Sequence, residues 1–142
     1  MRRFAEEVWR IGVDGRDATQ ITRNGAEFGV ESADGESLYY ARQGELWMEN
    51  LRDGREEKMV AGMAGRNFMR GPDGIYFVLR RGDAAPAVER ILADGRREVV
   101  LPAVGTPSDR IGAMALSPDR KWLLFERVDQ SDSEVMVVTG LQ

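Results

Sequence analysis

This 142-residue chain contains a repeated tripeptide whose spacing restricts the folds open to it. Asp-Gly-Arg begins at residues 14, 53 and 94, at spacings of 39 and 41 residues. A second set of turn sequences, Ser-Ala-Asp-Gly, Gly-Pro-Asp-Gly and Ser-Pro-Asp-Arg, begins between them at residues 32, 71 and 117. A period of about 40 residues divided by two turns is the length of a four-stranded propeller blade. The repeat therefore predicts a modular chain of short strands.

The segments between the turns are predicted to be β-strands. Residues 37–41, 75–79 and 121–125 follow the second set of turns, are rich in aromatic and branched side chains, and are too short for helices. The last two are apolar without alternation, which is typical of a strand covered on both faces. Asp-Gly suits a tight hairpin because both residues tolerate positive φ. We therefore expect consecutive antiparallel hairpins.

Placed in order, these segments predict 13 strands in one domain that spans residues 1–142. The predicted blade parts are residues 8–22, 27–61, 66–101 and 111–138, with two, four, four and three strands. Even the smallest propeller has four blades of four strands, and a blade buries its faces only against its neighbours. The expected fold is therefore an all-β partial β-propeller of about three four-stranded antiparallel blades. Its ring stays open unless more chain or oligomerisation completes it.

The composition removes most familiar catalytic chemistry. The chain has no His and no Cys, so it lacks an imidazole base, a thiolate nucleophile, a disulfide and the sulfur and imidazole ligands of metals. Lys and Arg total 20 against 24 Asp and Glu, a net charge of −4, which disfavours nucleic acid and membrane surfaces as partners. We expect no enzyme activity, no catalytic residue and no cofactor.

No targeting signal is visible. The start of the chain turns acidic at Glu6 and Glu7 before any apolar region begins, unlike a signal peptide. The longest strongly apolar run, residues 75–79, is far shorter than the roughly 20 residues of a membrane-spanning helix. The absence of Cys fits either side of a membrane. The sequence therefore predicts a soluble chain and leaves periplasmic and cytoplasmic locations open.

Two units, residues 32–60 and 116–138, resemble the WD40-like repeats of TolB-type β-propellers. Those repeats carry Ser-Pro-Asp-Gly, an apolar strand, Leu-Trp, and then Asp-Gly with a basic residue; the first unit has Leu46-Trp47 and Asp53-Gly54-Arg55. The chain departs from the pattern at Val88-Glu89, where Leu-Trp is usual, and at Arg120, where Gly is usual. The resemblance implies propeller blades, which occur in scaffold proteins, in peptidases and in bacterial signalling and winged-helix regulator proteins.

The function that this resemblance implies is a non-catalytic binding or scaffold module for a protein or ligand, in the C-terminal sensory part of a larger bacterial protein. Loops at one end of the blades usually carry binding in repeat folds. The expected partners are another protein, the remaining blades, or a second copy of the chain that completes the ring. An alternative is the gating propeller segment of a prolyl-oligopeptidase-type serine peptidase that lacks its hydrolase domain.

The candidate cation ligands are Asp129, Asp132 and Glu134, three carboxylates in one six-residue segment. Clustered carboxylates bind hard cations, but this segment lacks the Gly and the distant Glu of an EF-hand loop, so a solvated connection between strands is favoured. For the aspartates of the Asp-Gly turns, local hydrogen bonds to the backbone are favoured over calcium binding.

The inner segments predicted to line a propeller channel, residues 27–31, 66–70 and 111–116, offer two carboxylates, Glu27 and Glu31. Glycoside hydrolysis would need an acid and a base at a defined separation, and we interpret these two residues instead as rim or channel-lining groups. Trp9, Trp47 and Trp122 could stack on a ligand, but each lies in a predicted strand, where packing between blades is the simpler interpretation.

Two further motifs are interpreted as ordinary surface. Arg81-Gly82-Asp83 matches an adhesion tripeptide, but Gly-Asp at the end of a strand is common in loops. The most basic residues of the chain are Arg80, Arg81, Arg96 and Arg97. Because Asp83, Glu89, Asp94 and Glu98 interleave with them, a mixed solvated face is favoured over a phosphate site.

Overall fold

The computed structural model of the protein describes residues 6–106 and 111–127. Within these ranges it has twelve β-strands and no helix. The strands are β1 (Trp9–Arg10), β2 (Thr19–Gln20), β3 (Gly29–Glu31), β4 (Ser37–Arg42), β5 (Glu45–Asn50), β6 (Glu56–Val60), β7 (Met63–Gly71), β8 (Gly74–Leu79), β9 (Ala87–Ile91), β10 (Arg97–Leu101), β11 (Ile111–Leu116) and β12 (Leu123–Arg127). The prediction of an all-β chain is confirmed for the described residues.

The strands form four antiparallel sheets, and each sheet consists of strands that follow one another along the chain. β1 pairs with β2, β3 to β6 form a first four-stranded sheet, β7 to β10 form a second, and β11 pairs with β12. None of these sheets closes on itself. The last predicted strand, residues 134–138, lies outside the described residues.

The three Asp-Gly-Arg repeats form one kind of turn. Gly15, Gly54 and Gly95 have φ of 80°, 72° and 81°, a left-handed conformation that Gly adopts at no steric cost. In each turn the Asp carboxylate accepts a hydrogen bond of 3.0 Å from the backbone N–H of the Arg two residues later. The repeat in the sequence is therefore a repeat of turn chemistry.

Two turns of the second set share a serine and aspartate network. Ser32 Oγ donates to Asp34 Oδ1 at 2.5 Å and accepts from the backbone N–H of Ser37 at 3.0 Å. Ser117 makes the same two bonds, to Asp119 at 2.5 Å and from the N–H five residues later at 3.0 Å. These serine bonds hold the pKa of both carboxyls below the ordinary value of 3.8. The remaining turn differs, because Gly71 pairs directly with Gly74 and leaves only two residues in the loop.

Neighbouring sheets pack face to face and form the core. One cluster joins Leu46 and Val60 of the first four-stranded sheet to Phe68 and Phe77 of the second. A second cluster joins the second sheet to the β11–β12 pair, and a third joins the first sheet to side chains beside the β1–β2 pair. Burial of this apolar surface stabilises the stack at roughly 25 cal/mol per Å². The clusters therefore connect the sheets in chain order, as in a repeat protein.

The two segments predicted to be covered on both faces differ. Residues 75–79 are buried throughout, as predicted. The prediction for residues 121–125 is wrong, because Trp122, Leu124 and Phe125 are 70%, 58% and 39% exposed. Leu123 packs into the second core cluster, but no sheet among the described residues covers the opposite face of β12. Among the described residues, the β11–β12 pair is therefore covered on one side only.

Candidate functional site

The first strands of three consecutive sheets, β3, β7 and β11, lie side by side. Each is an edge strand of its sheet, and together they border a cavity of about 620 Å³, which we call the inner groove. Its apolar lining includes Phe28, Val30, Phe68 and Met114. The rings of Phe28 and Phe68 pack edge to face with 5.2 Å between their centroids. Side chains that are 40 residues apart in the sequence thus meet in one groove.

Side chains of β7 bind the backbone of β3, of the residues just before β3, and of β11. Arg66 Nη1 donates to the carbonyl oxygen of Glu27 at 3.5 Å, and Arg70 Nη1 donates to that of Glu31 at 3.1 Å. On the other side, the Asn67 side-chain amide donates to the carbonyl oxygen of Ile111. Carbonyl groups at a sheet edge have no strand partner, so these side chains supply hydrogen bonds that pairing would otherwise provide.

The two carboxylates predicted to line the channel lie at this groove. Glu31 lines it directly, and its Oε1 is 3.4 Å from Arg10 Nε. Glu27 is ion-paired to a groove residue, with 3.6 Å between its Oε2 and Arg66 Nε. Both carboxylates therefore have an arginine partner, and the structure brings them to the groove as parts of a mixed ionic rim.

Arg66 and Arg70 are groove residues that the sequence reasoning missed. Only the carboxylates of the inner segments were predicted to be site residues, and their cations were not. A signal was present: Arg66 and Arg70 follow Glu27 and Glu31 at the same 39-residue separation as the repeat. Opposite charges one repeat apart on edge strands that lie side by side would have indicated the contact.

A second cavity of about 600 Å³ lies between β7 and the turn after β11. It shares Met69, Arg70 and Met114 with the inner groove, so the two are continuous. Pro118 and Arg120 of the turn line its other side. We call this second cavity the arginine end of the groove.

The basic residues predicted to form a solvated face are largely ion-paired, and one of their partners is buried. Glu89 is 2% exposed, and its two carboxylate oxygens contact Arg81 Nη2 at 2.6 Å and Arg97 Nη2 at 2.7 Å. The solvated interpretation is therefore wrong for Glu89. The Arg-Gly-Asp segment is an exposed turn between β8 and β9, and its Arg is the one held by Glu89.

The three tryptophans do not share one environment. Trp47 is half-buried in β5, and its ring lies beside the guanidinium of Arg42 and the ammonium of Lys58. Trp9 and Trp122 are 60% and 70% exposed, so packing between sheets is the wrong interpretation for them within the described residues. The tryptophans also do not line the inner groove.

Tyr40, Arg42 and Glu56 form a polar cluster in the first four-stranded sheet. The Tyr40 hydroxyl donates to Glu56 Oε1 at 2.6 Å, and Arg42 Nη2 donates to the same oxygen at 2.7 Å. Burial, with the bond to Glu56, raises the pKa of Tyr40 above 10.0. The hydrogen bond from Arg42 lowers the pKa of Glu56 below 4.5. All three polar groups satisfy one another, which favours a structural role.

The candidate cation ligands Asp129, Asp132 and Glu134 lie outside the described residues. Among the residues that are described, no group of three or more carboxylates is placed to hold a metal ion. The Asp-Gly-Arg aspartates each use one oxygen in the local backbone bond described above.

Comparison with known proteins finds no family model, no curated protein and no solved structure that matches this chain. The part of the chain that the structure describes contains no helix long and apolar enough to cross a membrane.

Proposed function

We propose that the chain is a non-catalytic binding module built from propeller-type blades, and that the inner groove is its ligand-binding surface. The observation that carries this proposal is the alignment of three edge strands, β3, β7 and β11, along one groove. The serial packing of the sheets supports propeller-type blades, because each blade buries its faces against the next. The resemblance of the repeats supports a place in the sensory part of a larger bacterial protein.

The chemistry of the groove favours retention of a ligand over its conversion. A volume of about 620 Å³, with an apolar floor and a few polar groups, lies in the range of small-molecule sites. Its carboxylates are each paired with an arginine, Glu31 with Arg10 and Glu27 with Arg66. A catalytic carboxylate pair would instead need one acid and one base held at a defined separation.

The two end sheets support association with a second copy. The β1–β2 pair flanks an Asp-Gly-Arg turn, as the last two strands of each four-stranded sheet do. The β11–β12 pair flanks a Ser-Pro-Asp turn. In the sheet of β3 to β6, the first two strands flank a Ser-Ala-Asp turn in the same way. Within the described residues, one pair therefore corresponds to the last two strands of a sheet and the other to the first two, and they expose Trp9 and Ile11 at one end and Trp122 and Leu124 at the other. Head-to-tail association of the isolated chain would cover both surfaces.

Fragment screening by NMR tests the groove. We expect small apolar and polar fragments to bind saturably, with amide shifts concentrated at Phe28, Phe68 and Met114, and to remain chemically unchanged over hours. Shifts concentrated elsewhere would refute the groove as the binding surface, and conversion of a fragment would refute a non-catalytic role. If the chain were instead the gating propeller segment of a peptidase, the fragments would pass through it without saturable binding.

Light scattering tests the association. We expect a mass that rises with concentration above the 15.9 kDa of one chain. The double change Trp9→Ser and Trp122→Ser should restore the monomer mass. A wild-type chain that stays a folded monomer at every concentration would refute association through the end sheets.

A further inference from the structure

The arginine end of the groove differs in charge from the rest of it. Arg66, four residues before Arg70 in β7, is balanced by Glu6 and Glu27, with 3.7 Å and 3.6 Å between charged atoms. Within the described part of the chain, neither Arg70 nor Arg120 forms an ion pair, and no carboxylate lines the cavity that they share. Within the described residues, this cavity therefore holds two arginines and no carboxylate, while Arg70 also lines a neighbouring cavity with Asp34 and Asp73.

The remaining lining of this cavity is mostly apolar. Met69 of β7 and Met114 and Leu116 of β11 line it together with the two turn prolines, Pro72 and Pro118. Methionine adapts its shape to ligands, and proline adds rigid apolar surface without a backbone donor. A cavity of about 600 Å³ with two cations and an apolar wall is suited to an amphiphilic anion.

The backbone of Arg120 is a second observation that points to a role for its side chain. Its φ is +60°, in the left-handed region that favours glycine, and the equivalent turn in the first four-stranded sheet has Gly35 at φ +72°. A bulky residue in this conformation is strained, and such strain is concentrated at functional sites. Arginine therefore stands where the backbone favours glycine, and the position supplies a cation to the cavity.

We propose that Arg70 and Arg120 bind the acidic headgroup of a small organic anion, a carboxylate or phosphate ester, whose apolar body lies on Met69 and Met114. Guanidinium groups bind both headgroups through paired charge-assisted hydrogen bonds. This proposal rests on the binding role of the inner groove proposed above and names the class of its ligand.

Titration of the full chain with three eight-carbon probes, octanoate, octyl phosphate and uncharged octanol, tests this site by NMR. We expect both anions to shift the amides of Met69, Met114 and Leu116, and octanol to bind at least tenfold more weakly. Arg120→Gly should weaken octanoate binding at least tenfold while the protein melts no lower than wild type, since glycine favours this backbone conformation. Loss of binding in a variant that is at least as stable excludes unfolding as the cause.

Two variants serve as matched controls. Arg55→Ala removes an exposed turn arginine that does not line the cavity, and Gln43→Gly relieves another left-handed residue, with φ of +53°. Both should bind octanoate as wild type does. Equal binding of octanol and octanoate would overturn the anion site and leave the groove as a binding surface. Equal weakening by Arg55→Ala would also overturn it, and failure of the anions and of every screened fragment would remove both proposals.

Discussion

Trp47 and Glu89 hold equivalent places in the two four-stranded sheets. Trp47 of β5 lies opposite Tyr40 of β4, and Glu89 of β9 lies opposite Phe77 of β8. The same site in the repeat thus holds a large aromatic side chain in one sheet and a carboxylate in the next. Burial of an aromatic side chain is favourable, whereas burial of an unpaired carboxylate is unfavourable. The residues around this site must therefore differ between the two sheets or compensate for the change.

The surroundings compensate through cations. In the first sheet, the Arg42 guanidinium carbon lies 4.8 Å from the centroid of the Trp47 ring, and Lys58 Nζ lies 6.0 Å from it. These are cation–π contacts, which tolerate solvent, and Trp47 is accordingly half-buried.

In the second sheet, cations hold Glu89 through direct hydrogen bonds. Arg81 and Arg97 each bind one of its oxygens, and the guanidinium carbon of Arg97 also lies 5.4 Å from the centroid of the Phe77 ring. A buried carboxylate requires such partners, because the desolvation of an unpaired charge costs several kcal/mol. The repeat therefore keeps two cations around this site and lets its central residue change.

The largest expected effect comes from removing the buried carboxylate. Glu89→Ala should lower the free energy of unfolding by about 3 kcal/mol, at the low end for a broken buried pair because both arginines reach solvent. Urea denaturation of the variant and wild type measures the difference. Glu57→Ala, at an exposed position of β6, is the control and should change it by less than about 0.5 kcal/mol. Equal effects of the two changes would contradict the structural role of Glu89.

Removing the aromatic residue at the matching site should cost less. Trp47→Ala should lower the free energy of unfolding by about 2 kcal/mol, because it removes a large half-buried ring and its two cation–π contacts. The same denaturation measurement applies. A loss greater than that of Glu89→Ala would reverse the ranking of the two sheets.

The two equivalent turns allow a smaller comparison. Gly35→Ala should lower the free energy of unfolding by about 1 kcal/mol, and its new Cβ would meet no atom within 4 Å, so the cost is that of the backbone alone. Arg120→Gly should raise stability by less than this, because glycine also has more freedom in the unfolded chain. Thermal melting should show a lower melting temperature than wild type for Gly35→Ala and a higher one for Arg120→Gly. Stabilisation by Gly35→Ala would contradict the left-handed conformation.

The smallest effect concerns acid stability in the first sheet. Arg42 lowers the pKa of Glu56 in the folded protein below the ordinary 4.5, so between the two pKa values the folded state binds fewer protons than the unfolded state. The stabilisation, about 0.5 kcal/mol for a partly exposed pair, is present above this range and lost as the pH falls through the folded pKa. We expect the free energy of unfolding to fall less between pH 6.5 and pH 3.5 in Glu56→Gln than in wild type. In the control Glu57→Gln, the free energy of unfolding should fall by as much as in wild type. An equally large fall in Glu56→Gln would contradict the coupling between Arg42 and Glu56.

The strands and turns could be predicted from the sequence because their chemistry is local. Asp53 binds the N–H of the residue two positions later, and Ser32 binds groups within five residues. The local sequence therefore indicates the geometry of these turns directly. Glu89 could not be placed in the same way, because its burial depends on arginines eight residues away on either side. By composition alone it counted among the charges of a solvated face.

The candidate site was predictable only in part, because it depends on contacts between sheets. The inner segments and Glu31 were expected to line a channel, and they do border the inner groove. The roles of Arg66 and Arg70 follow from which strands lie side by side, and a single repeat does not contain that information. The exposure of Trp9 and Trp122 likewise depends on what covers the end sheets.

The inner groove depends on contact between the edge strands of neighbouring sheets, and one NMR measurement can detect this contact. Phe28, directly before β3, and Phe68 of β7 have ring centroids 5.2 Å apart. A nuclear Overhauser spectrum of the folded chain should show cross-peaks between their ring protons, because such contacts are detected at this distance. A folded, well-dispersed spectrum without any cross-peak between the two rings would contradict the groove.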